Sequence, residues 1–140
     1  MARRADPREP IWHDGPELFA FLLDADFAGP ERTEDGIAYH RPGPHIDVRF
    51  HAGHEPVVAT RVSHVSPDGT STRTASLDCL YVACRCGVLQ DVPGNAPNRR
   101  TAGKRVGQHA DALRQVLPHL LGDDVDQLIR RCQGRLLPEP

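Results

Sequence analysis

The stretch "PVVATRVSHVSPDGTSTRTASLDCLYVACRC", residues 56–86, decides the fold. Residues 56–65 read as a strand, rich in β-branched side chains. "SPDGTS" is a turn signal centred on Asp68 and Gly69. "TASLDCLYVACRC", residues 74–86, reads as the returning strand, antiparallel to the one before it. Working back towards the amino terminus, "GIAYH" and "HIDVRF" read as two shorter strands joined by the turn-rich "RPGP". Three or four strands then form one antiparallel meander, with helices over a face of it.

Helical spacing surrounds this sheet region. In "HDGPELFAFLLDADFAGP", residues 13–30, Asp14 is placed to cap a helix, with Glu17 three residues on and Pro16 in the first turn. Leu18, Phe21, Leu22 and Ala25 make its apolar stripe, and Gly29-Pro30 is a stop signal. After a loop over residues 87–103, Val106, Ala110, Leu113 and Leu117 mark a second helix that Pro118 should kink or end. A third starts at Asp123, turns Val125, Leu128, Ile129 and Cys132 inward, and ends at Gly134. The expected organisation is a loose arm over 1–12, one α+β domain over 13–134, and a frayed tail over 135–140.

A net charge of −2 gives the surface as a whole no attraction for nucleic acid. The opening "MARRADPREP" has no apolar core behind it, and no apolar run approaches the ~20 residues that span a bilayer. A cytoplasmic protein with no membrane contact is expected. In that compartment thiols stay reduced, so clustered cysteines point to metal, chemistry or burial rather than to disulfides.

Cys79, Cys84 and Cys86 fall within eight positions. On a strand, Cys84 and Cys86 share a face with Leu80 and Val82, and Gly87 permits a sharp turn beside them. Zinc takes four such ligands in a tetrahedron. Cys84, Cys86 and His109 from the following helix supply three, with His64 as the fourth and Cys79, His51 or His54 as alternatives. Over residues 79–109 this resembles small zinc-ribbon-like domains, although the Cys-x-x-Cys spacing is missing and no family function follows. The competing reading is that these cysteines are small apolar residues in a buried strand. Cys132 belongs to the core in either case.

Two further features carry chemistry. Arg99, Arg100, Lys104 and Arg105 straddle a helix start, where amide groups and the dipole favour phosphate. The strand region also holds His40, His45, His51, His54 and His64, which turn ends can gather into one cluster, as a mononuclear metal enzyme needs. The leading expectation is a small cytoplasmic, non-enzymatic accessory or regulatory protein with a structural zinc ion and a protein partner. The alternatives are nucleic-acid binding through residues 98–105 and a metal-dependent enzyme built on the strand histidines.

Overall fold

The computed structural model describes residues 6–65, 69 and 72–136, the last four of these by backbone alone. The expected turn at Asp68 and the tail beyond residue 136 lie outside the described residues. Helix α1 (Glu9–Leu18) and the single turn α2 (Phe21–Asp24) lead into five strands: β1 (Ala28–Arg32), β2 (Gly36–His40), β3 (Pro44–His51), β4 (Val57–Val65) and β5 (Thr72–Ser76). Helices α3 (Leu77–Ala83), α4 (Arg99–Leu120) and α5 (Val125–Leu136) follow. The class is α+β as expected, with one antiparallel sheet in the order β1-β2-β3-β4-β5.

Helix α1 begins five residues before the expected cap, because Pro10 sits in its first turn, where a missing N–H costs nothing. Residues 9–12 are therefore helical rather than a loose arm, and Asp14 and Pro16 lie inside the helix. Its buried line is Ile11, Gly15 and Phe19, continued by Leu22. Gly15 is needed at the crossing over the sheet, since a Cβ there would come within 2.7 Å of Ile37 Cδ1.

Gly29 and Pro30 do not stop a helix but lie within β1. That edge strand is exposed along its whole length, so it leaves no apolar pattern in the sequence. In β3 and β4 the alternation is plain. Ile46, Val48, Phe50, Val58, Thr60 and Val62 are buried, while the residues between them are open or half-open. Together with Ile37, Tyr39 and Ala75 they form the sheet side of the core, and α1, α3, α4 and α5 pack over it.

The second half of the deciding stretch departs most from expectation. The strand ends at Ser76, and Leu77–Ala83 is a helix. Leu77, Leu80 and Tyr81 are all buried, while Val82 is 37% exposed. Two adjacent buried residues beside an open one suit a helical face and not a one-sided strand. Helix α3 closes with Arg85 at φ 60°, the Arg85 amide donating to the Val82 carbonyl at 3.0 Å and the Cys86 amide to the Tyr81 carbonyl at 3.0 Å. This is a Schellman cap, so the tight turn at Cys84–Cys86 ends a helix.

Asn98 Oδ1 caps α4 by accepting the Thr101 amide at 2.9 Å. The expected stripe of Val106, Ala110, Leu113 and Leu117 is buried, and the helix continues two residues past Pro118. Helix α5 buries Val125, Leu128, Ile129 and Cys132 against β5 and α3, and runs through Gly134 to Leu136.

Candidate functional site

Cys84 and Cys86 stand together at the end of α3, while the other residues expected to share a zinc ion have different neighbours. His109 does face the sheet from α4, but both ring nitrogens are spent. Nε2 donates to the Pro93 carbonyl at 2.8 Å, and Nδ1 accepts from the Thr60 hydroxyl at 2.8 Å. At 3% exposure it is a satisfied core histidine, with burial the main cause holding its pKa below the usual range. Cys79 is buried in α3. His64 lies on the helix-covered side of β4, its Nδ1 3.8 Å from Asp126 Oδ1.

Cys84 lines a surface depression with His119, Asp124 and Arg131, while His109 borders a different one with Thr60, Ser76 and Asp78. Burial first, then Cys86 and Asp124, push the Cys84 thiol up to about 11 against the pull of Arg131, which disfavours the thiolate that zinc requires. Among the described residues no group of three or more His, Cys, Asp or Glu is placed to hold one metal ion.

The basic segment divides in two. Arg99 Nε pairs with Glu9 Oε1 at 2.9 Å, and Arg105 is held by the Asn95 carbonyl, Asn95 Oδ1 and Gln108. Arg100 and Lys104 extend into solvent. Beside Arg99 lies a cleft of about 470 Å³ walled by Glu9, Trp12, His13 and Arg32. The Trp12 ring lies 4.0 Å from the Arg32 guanidinium and 4.9 Å from that of Arg8, and its Nε1 donates to the Thr33 carbonyl.

No described helix covers the second face of the sheet. Its rows run across the strands as Gly36–Arg49–Ala59, Ala38–Asp47–Arg61–Ser76 and His40–His45–Ser63–Thr74. Small residues form the floor, and the charges stand above it. Asp47, Arg49, His51, Ala59, Arg61, Ser63 and Thr74 line a shallow depression of about 150 Å³. Arg49 Nε is 4.0 Å from Asp47 Oδ1, and Ser63 and Thr74 share a hydroxyl hydrogen bond at 3.0 Å. The alternation in "HIDVRFH" was the available signal for this face, because it puts Asp47, Arg49 and His51 opposite the core residues.

Of the five strand histidines, the fold joins two. His40 and His45 are directly opposite across the β2–β3 turn, with Nδ1 atoms 3.3 Å apart and rings nearly perpendicular at 84°. His40 Nε2 meets Glu31 Oε1 at 3.0 Å. Burial and His40 hold His45 below the usual imidazole range, against the pull of Asp47. His51 is at the far end of β3, about 20 Å along the strand from His45. His54 is in the next loop and His64 on the other face, so the five do not form one cluster.

No protein-family model matches this chain, and no curated protein or solved structure matches it either. No described helix is long and apolar enough to cross a membrane.

Proposed function

We propose that this chain is a cytoplasmic, non-catalytic accessory protein that holds an acidic segment of a partner protein on the bare face of its sheet. The carrying observation is the contrast between the two faces. One is packed by the described helices, while the other combines a floor of Gly36, Ala38 and Ala59 with Arg49, Arg61 and His51 around the carboxylate Asp47, Glu31 lying at the edge beside Ala38. An extended backbone can come close to such a floor, and the cations select carboxylates above it. The hydroxyl–imidazole pair Thr60–His109 supports a non-catalytic role, since both residues are buried and the ring nitrogens are engaged by Thr60 and Pro93.

A fluorescein-labelled poly-glutamate peptide is a suitable probe. Anisotropy titration is expected to show binding that weakens with salt and falls at least about tenfold in Arg49→Glu/Arg61→Glu, where like charges oppose the ligand. Arg100→Glu/Lys104→Glu serves as the comparison and should behave as the native chain. Equal binding by the face variant and the native chain would overturn the proposal.

A second reading rests on the cleft at Trp12, where Arg32 and Arg99 stand near exposed Arg100 and Lys104. It assigns the cleft to a phosphate-bearing strand, with the indole as a stacking surface. Because Glu9 and Asn95 already engage Arg99 and Arg105, few phosphate contacts remain, and affinity should be low with a shallow salt dependence. A labelled single-stranded oligonucleotide whose binding is unchanged by Arg32→Ala/Arg100→Ala/Lys104→Ala would dispose of it.

A further inference from the structure

The segment "HRPGPH", residues 40–45, turns the chain between two paired strands. Gly43, at φ 99°, supplies the left-handed residue the turn needs, and the Arg41 amide closes it on the Pro44 carbonyl at 3.3 Å. His40 and His45 thus become the last pair of the β2–β3 ladder, on the face that no described helix covers. We propose that His40 and His45 chelate a zinc ion through their two Nδ1 atoms, with Glu31 fixing the His40 ring from behind.

The distance suits a shared ion as well as it suits a direct bond. At 3.3 Å the two nitrogens are within hydrogen-bond reach of each other when one carries the proton. The edge of a tetrahedron with zinc–nitrogen bonds of about 2.0–2.1 Å is about 3.3–3.4 Å, which is the observed separation. The Glu31 carboxylate accepts the Nε2 proton of His40 at 3.0 Å. That contact leaves the Nδ1 lone pair of His40 free, as in the carboxylate–histidine–metal arrangement. His40 is open to water at 44% side-chain exposure and His45 is half-buried beside it, so an ion reaches the pair from the surface.

Among the described residues no third His, Cys, Asp or Glu completes the set. The ion would keep two corners for water or for donors of a bound molecule, which makes this an open site rather than a structural one. It is distinct from the Cys84–Cys86 turn, and it does not depend on the acidic-segment reading, because the probe is zinc alone.

Isothermal titration of zinc chloride into the full chain at neutral pH, with imidazole nitrogen NMR as the second readout, tests it. The native chain should bind zinc with shifts at His40 and His45 Nδ1, and one equivalent should be lost in His40→Ala and in His45→Ala. Glu31→Gln should weaken binding by about 10–100-fold, while Cys84→Ser/Cys86→Ser should keep it. His40→Gln and His45→Gln give the same loss with a polar side chain retained at the turn, and circular dichroism checks that each variant is folded. Zinc uptake that survives both histidine substitutions, or no uptake up to millimolar zinc, would overturn the proposal.

Discussion

Gly36→Ala is expected to cost the chain a large share of its stability. Gly36 is the first residue of β2 and lies opposite Arg49. A Cβ built on it would strike the Val48 carbonyl oxygen, with the Val48 carbonyl carbon at 2.8 Å and Arg49 Cα at 3.0 Å. These are backbone atoms, so no rotamer change relieves the contact. β3 cannot retreat either, since β4 is bonded to its other edge along its whole length. The β2–β3 ladder must therefore open locally. The cost should exceed the usual overpacking penalty, at about 3 kcal/mol or more, out of the roughly 5–15 kcal/mol that holds a domain of this kind. Urea unfolding measures it directly. Gly53→Ala is the control, because nothing lies within 4 Å of its Cβ position, and it should change stability by no more than about 0.5 kcal/mol. If Gly36→Ala unfolds at the native urea midpoint, the close approach of β2 and β3 is wrong.

The second large effect is at His109. Leucine at this position fills a similar volume but leaves the Thr60 hydroxyl and the Pro93 carbonyl without partners. Each buried orphan costs about 1–3 kcal/mol, so His109→Leu should lose about 2–4 kcal/mol. His109→Gln, which can still donate and accept, should recover part of that. The pH dependence separates the roles further. Burial holds the folded pKa below the ordinary 6.5, and Arg105 adds to this, against the Pro93 carbonyl and Asp78, which raise it. Below about pH 6.5 the unfolded chain therefore binds a proton that the folded chain resists, and stability rises with pH in that window. The contribution is complete above about 6.5 and is lost as pH falls through the depressed folded value. Urea midpoints taken below and above pH 6.5 should show a steeper decline for the native chain than for His109→Gln. Equal declines would mean that another group carries the titration.

The sequence made legible those elements in which one face is buried and the other is not. β2, β3, β4, the apolar stripe of α4 and that of α5 were all readable because their periods are carried by residues that do enter the core. β1 was not, since none of its five residues is buried and an open edge imposes no pattern. α3 was misread because "LDCLYVACRC" satisfies two templates at once. Leu80, Val82, Cys84 and Cys86 alternate, and Leu77, Leu80, Tyr81 and Cys84 recur at helical spacing. Only the burial of both Leu80 and Tyr81 separates the two.

The sites show the same limit. His109 was expected on the helix that follows the sheet region, but nothing in one dimension says that Thr60 and Pro93 occupy its nitrogens. His40 and His45 flank a short turn and were open to pairing from that fact alone, while the Glu31 contact depends on a strand the sequence did not announce. The meeting of Trp12, Arg32 and Arg99 joins three elements that are remote along the chain, and no local pattern encodes it.

The order of the strands has a kinetic consequence. Every strand in β1-β2-β3-β4-β5 bonds to its neighbour in sequence, so the sheet can close hairpin by hairpin over short loops, such as residues 41–43 between β2 and β3. Such local pairing loses little loop entropy and forms fast. Helix α1, by contrast, docks on α4, and the Glu9–Arg99 ion pair joins residues 90 apart. The search of the amino-terminal helix for its seat is therefore expected to limit the folding rate, with the meander formed before that helix arrives.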